Sequence, residues 1–102
     1  MIRHCVLVKF RADVPGAERQ AIYAQLALLR QHLGGIQAMS FGANVSPEGL
    51  DQGFRDGFTI DFADAAARDA YLADPAHQAA GARLVAALEG GVAGLVVFDL
   101  AV

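Results

Sequence analysis

Apolar residues recur along this chain with two different periods. Residues 2–10, IRHCVLVKF, alternate: Ile2, His4, Val6, Val8 and Phe10 fall on one face, and Arg3, Cys5, Leu7 and Lys9 on the other. A period of two belongs to a strand, and one face of this strand is apolar except for His4. The period then lengthens. Ile22, Leu26, Leu29 and Leu33 stand at i, i+4, i+7 and i+11, one stripe of a helix. Asp13 is the expected cap of that helix, Pro15 lies in its first turn, and Gly34–Gly35 stop it. IQAMSFGANV, 36–45, reads as a second strand. SPEGLDQGF is a loop punctuated by Pro47, Gly49 and Gly53. In 54–62, FRDGFTIDF, the alternation returns, with Phe54, Asp56, Phe58, Ile60 and Phe62 on one face. Asp64 caps a further helix, which Pro75 breaks because the residue before proline avoids the helical region. A third helix follows over about 76–89, and VAGLVVFDL, 92–100, is the last strand.

The order β-α-β-β-α-α-β over residues 1–102 is one domain of the α+β class. It is the split β-α-β pattern of the ferredoxin-like sandwich, a four-stranded antiparallel sheet with helices on one face. Strands 1 and 3 are expected side by side in the centre. Taken as parallel, they bring His4 beside Asp56, and a buried imidazole and carboxylate would satisfy each other.

Composition adds a partner to this picture. The 102 residues are 55% hydrophobic and 19% charged, against roughly 45–50% and 25% in ordinary soluble domains. That excess of apolar surface points to a homo-oligomer. The open sheet face is read as carrying Cys5, Leu7, Met39, Phe41, Leu95 and Val97. Arg3, Lys9, Arg55, Asp61 and Asp99 are placed at its rim. The net charge is −3 and no Lys/Arg cluster exists, so nucleic acid has no electrostatic footprint. No apolar run approaches the ~20 residues of a membrane helix, and the N-terminus does not read as a signal peptide. A single cysteine excludes an internal disulfide. The expected setting is the cytoplasm.

The chemistry concentrates in YLADPAHQAAG, 71–81, where Tyr71 and His77 flank Pro75 in an otherwise alanine-rich stretch. A histidine titrates near neutrality and can act as a general base. It can equally be an inert group near a helix N-terminus, and Tyr71 can be a core aromatic with a polar tip. His32, near the end of the first helix, reads as a solvent-facing group or a partner of the helix's C-terminal dipole. Cys5 reads as a small hydrophobe, and Asn44 with Ser46 as turn chemistry. No H-x3-H or C-x2-C spacing is present, and the glycine-rich stretches lack phosphate-loop spacing. No metal or cofactor is expected.

His4 in IRHCVLVKF, Gly42, Asn44 and Ser46 in FGANVSPEG, QGFRDGFTIDF, AYLADPAHQ and the terminal VVFDL together resemble the stress-responsive A/B barrel (Dabb) domain family over essentially the whole chain. The resemblance implies a dimer whose subunits pack sheet against sheet into a closed α+β barrel. Plant members that cyclise polyketides use a His and a Tyr in a pocket between sheet and helices, matching His77 and Tyr71, with His4 at the start of strand 1. This chain departs from them at Asp56, where such cyclases carry a His. Val6, Tyr23, Phe58 and Ile60 fall where the pocket wall belongs. Many relatives, mostly bacterial, have no assigned activity. Two functions follow as expectations. One is a pocket for a small apolar or aromatic molecule, with His77 and Tyr71 as candidate catalytic groups. The other is a non-catalytic stress-response or structural dimer in which the same residues only complete the core.

Overall fold

A computed structural model describes residues 1–102. Strand β1 spans Ile2–Val8, helix α1 Gly16–Leu28, strand β2 Ile36–Ala43 and strand β3 Asp56–Phe62. Helix α2 spans Ala65–Ala73, helix α3 Pro75–Ala86 and strand β4 Leu95–Ala101. Short 3-10 turns at Leu29–Gln31 and Gly91–Gly94 extend α1 and lead into β4. The order is the expected one, and the sheet runs β2-β3-β1-β4 with every neighbouring pair antiparallel. The core of 17 residues lies between the sheet and the helices, with Ile22, Leu26, Ile60, Phe62 and Tyr71 at its centre.

Register decides which residues meet, and it corrects three sequence expectations. β1 and β3 are neighbours but antiparallel, so His4 stands opposite Ile60 and Asp56 opposite Val8. His4 and Asp56 therefore lie at opposite ends of β1 and do not pair. In β4, Leu95, Val97 and Asp99 stand opposite Val8, Val6 and His4, on the helix side. In β2, Met39 and Phe41 stand opposite Ile60 and Phe58, also on the helix side. Met39, Phe41, Leu95 and Val97 thus leave the open face. Of the six residues expected there, Cys5 and Leu7 remain, joined by Val96, Phe98 and Leu100 opposite Leu7, Cys5 and Arg3.

The cause in β2 is local. Its pairing slips between Ile36 and Ala38, so Gln37 is an extra residue. Ile36 and Met39 then share a face although they are three apart. An inserted residue inverts the alternation beyond it. Close strand packing also restricts Gly57, where a Cβ would lie 2.6 Å from the Val6 carbonyl oxygen.

Helix ends follow their local chemistry with one exception. Asp64 accepts a hydrogen bond from the Ala67 N–H at 2.8 Å, the expected cap of α2. Gly35 takes φ +84 after the first helical region, as the stop signal anticipated. Asp13 does not cap α1: the N-cap is Pro15, which offers no side-chain acceptor, and Asp13 instead accepts from Arg11 Nε. Asn44 and Ser46 do form nested turns, accepting from the N–H groups of Ser46 and Glu48. No helix is long and apolar enough to cross a membrane.

Candidate functional site

The break between α2 and α3 builds the site. Asp74 is extended (φ −69, ψ 129), as a residue before proline must be, and it ends α2. Its carboxylate then accepts from the His77 N–H at 3.0 Å, capping α3. In an unbroken helix, residues six apart are turned roughly 240° from one another. The break removes that offset: the Tyr71 and His77 rings sit 4.0 Å apart, centroid to centroid, tilted by 40°. Tyr71, 1% exposed, also meets His4 edge-on at 5.9 Å and Phe62 at 5.1 Å.

His4 is the one polar residue among the buried side chains. Its Nδ1 lies 2.7 Å from Asp99 Oδ1, and Arg68 donates to the other Asp99 oxygen at 3.0 Å. A carboxylate only accepts, so Nδ1 carries a proton and Nε2 is left for other partners. Burial works against the Asp99 charge, but the hydrogen bonds from Arg68 and His4 outweigh it and hold the carboxyl below its ordinary range. This Arg68–Asp99–His4 chain escaped the sequence reading, which put Asp99 at the rim of the opposite face. The available signal was the shared polarity of His4 and Asp99 on two otherwise apolar strands.

His77 has a buried Nδ1 with no hydrogen-bond partner. Burial lowers its pKa below the ordinary histidine value, the positive potential of His4 adds to this, and the Leu72 carbonyl and Asp74 pull the other way. The imidazole is therefore neutral near pH 7. Burial pushes the Tyr71 phenol far above its usual range, so it keeps its proton. His32 joins the same turn from outside, its Nε2 3.3 Å from the Asp74 carboxylate.

A cavity of about 300 Å³ opens beside these rings. His4, Val6, Phe58, Tyr71 and His77 line it, together with Leu26, Leu84, Leu95 and Val97. Gln78 adds a further polar group, and neither Lys nor Arg borders the space. Three expected wall residues lie elsewhere. Ile60 is fully buried in the core. Tyr23 packs among Phe10, Phe41 and Phe58, its hydroxyl buried without a partner. Asp56 lies at the far end of the sheet, on a separate cleft. No group of three His, Cys, Asp or Glu side chains is arranged to hold a metal ion.

Comparison with known proteins agrees with this architecture. The model of the stress responsive A/B barrel domain matches residues 2–102. A dimeric ferredoxin-like protein of unknown function from Jannaschia sp. CCS1 is 33% identical, with a TM-score of 0.92 over 99% of this chain and 98% of that one. A protein from Arabidopsis thaliana is 24% identical at TM-score 0.89, covering 100% and 95% of the two chains. Hydroxynitrile lyase from Passiflora edulis is 17% identical at TM-score 0.86, covering 99% and 92%. The latter two likenesses speak for the fold. None of the curated proteins matches the sequence.

Proposed function

The chain belongs to the stress-responsive A/B barrel family, and from that membership we propose a homodimer in which each subunit's cavity takes a small, uncharged, apolar or aromatic molecule and moves a proton on it with the chain's own side chains. One observation carries this reading: Tyr71 and His77, 4.0 Å apart, share the wall of one cavity with His4. The absence of Lys and Arg from that wall selects an uncharged ligand, because a buried charge without a counter-charge is costly. Apolar side chains give the ligand its contact area, and few polar groups fix its orientation.

A phenol or a carbon acid suits this wall. The neutral His77 imidazole takes the proton, and the electron pair remains on the ligand as phenolate or enolate. Tyr71 stays protonated, so its hydroxyl can donate to the developing oxyanion. His4 is oriented by Asp99, as an imidazole is oriented by its carboxylate in other acid–base sites. The proton then returns from His77 to another atom of the ligand. The fold accommodates enzymes, since one structural neighbour is named a hydroxynitrile lyase.

Dimeric neighbours support the homodimer. Its proposed interface is the open sheet face, where Leu7, Val96, Phe98 and Leu100 are exposed and the Arg3–Asp61 pair lies among them, Nε to Oδ1 2.8 Å. The competing reading, a dimer without catalysis, draws on the near-complete burial of Tyr71, which suits a core aromatic. A thermal-shift panel of neutral phenols and aromatic ketones separates the two. Binding that survives in His77→Gln while turnover of the bound compound is lost supports the base. Absence of any ligand-dependent shift, or equal turnover by His77→Gln, rejects it.

A further inference from the structure

We propose a second ligand site at the opposite end of the sheet, where Lys9, Arg19 and Arg55 bind a small oxyanion of the carboxylate or phosphate type. The chain has eight Lys and Arg residues. Arg3, Arg11, Arg68 and Arg83 are paired with Asp61, Asp13, Asp99 and Glu18. Arg30 donates to the Gln37 carbonyl. The three cations that remain all border one cleft of about 550 Å³, and none of them forms an ion pair within the chain.

Two of the three are held in place by uncharged groups. The Lys9 ammonium lies 4.5 Å from the centre of the Phe54 ring. Its stem runs against Gly53, where a Cβ would come within 3.1 Å of the Lys9 Cε, and Gly53 has φ +88. The positive φ is what favours glycine here. Arg19 stacks on Phe10 at 5.0 Å and donates Nε and Nη2 to the carbonyls of Val14 and Arg11. A guanidinium has five N–H donors, so Arg19 keeps several free while its position is fixed. Arg55 is exposed at the mouth.

Three carboxylates lie at or beside this cleft, and the charges of Arg55 and Lys9 reach one of them, Asp51, without a direct ion pair. Asp56 and Glu89 border it, yet neither forms an ion pair. Asp51, just outside, accepts from the Gly53 N–H at 2.9 Å and from Asn44 at 3.1 Å. The buried, unpartnered Tyr23 hydroxyl lies behind this cleft, within the fields of Asp56 and Arg19, and does not border it. Its pKa is pushed up to about 12, by burial first and then by Asp56. Preorganised cations without a direct ion pair favour an oxygen anion, which a guanidinium can hold through two parallel N–H groups.

The test is an amide NMR titration of the intact protein with inorganic phosphate and, separately, with succinate. Sodium chloride at matched ionic strength is the reference. Saturable shifts at Lys9, Gly53 and Asp56, with Tyr71 and His77 unmoved, support the site independently of the cavity described above. Saturation by phosphate alone or by succinate alone names the preferred anion. In Lys9→Gln/Arg55→Gln the dissociation constant rises about tenfold or more, as loss of charge-assisted hydrogen bonds requires. Arg55→Gln, at an exposed position, supplies the same readout if the double variant unfolds. Linear shifts matching those of chloride, or unchanged affinity in the variants, overturn the proposal.

Discussion

Replacing Asp99 by Ala removes the acceptor that holds His4, and the structure sets the size of the loss. His4 is 4% exposed, so its Nδ1–H is largely shut off from bulk water once the carboxylate is gone. A hydrogen bond to a charged group contributes about 1.5–3 kcal/mol, and an abandoned buried donor costs a comparable amount. The Asp99 side chain is itself 24% exposed, which admits some water and argues for the lower half of that range. The expected loss is therefore about 2 kcal/mol. For a domain of this size that lowers Tm by roughly 8–16 °C. Urea denaturation at pH 7.5 and fixed protein concentration measures it. Asp13→Ala is the reference, because Asp13 pairs with Arg11 in solvent and surface changes stay within about 0.5 kcal/mol. Asp99→Asn keeps one oxygen for Nδ1–H and falls between the two. If Asp99→Ala is no less stable than Asp13→Ala, the His4–Asp99 contact does not hold the site and the reasoning is wrong.

Three further outcomes follow from the geometry. The depressed pKa of His77 means that the folded state resists protonation at a site where the unfolded chain accepts it. The unfolded chain then binds more protons, so stability falls as pH drops from about 6.5 towards the folded pKa. His77→Gln flattens that part of a urea-midpoint profile between pH 7.5 and 5, and an unchanged slope contradicts the assignment. Phe98, 58% exposed on the open sheet face, is expected at the dimer centre; Phe98→Glu should sediment as a monomer at micromolar concentration, and a persistent dimer moves the interface elsewhere. Gly57→Ala sets a methyl against the Val6 carbonyl oxygen and should cost about 1–3 kcal/mol by overpacking, read as a lower urea midpoint; a midpoint equal to that of the parent chain denies the close approach of β1 and β3.

Much of this architecture was legible in the sequence because single residues announce local geometry. Pro75 marked the helix break, Asp64 the cap and Gly35 the stop, and each acts within a few residues of itself. The parity of β1 and β3 was legible too, since each has one face of large apolar groups. Longer-range facts were not. Two antiparallel neighbours read as parallel sent His4 to Asp56, when its partner stands at residue 99. The Gln37 bulge carries no composition signal, yet it moved Met39 and Phe41 to the helix side. β4 is apolar on both faces, so alternation could not choose between its two sets of residues. There Asp99 was the informative residue, because a buried histidine on the next strand needed an acceptor.

The strand order has a consequence for the making of the molecule. β1 is synthesised before the other three strands of the sheet, and its flank opposite β3 is occupied by β4, the last of the four. Until residues 95–101 emerge, β1 is an unprotected edge, and His4 lacks the carboxylate that stands 95 positions downstream. A nascent chain can therefore assemble most of its core while its central strand still invites pairing with a foreign one. Stalled or truncated synthesis short of β4 would release a species that is largely folded, adhesive along one strand and without a finished site.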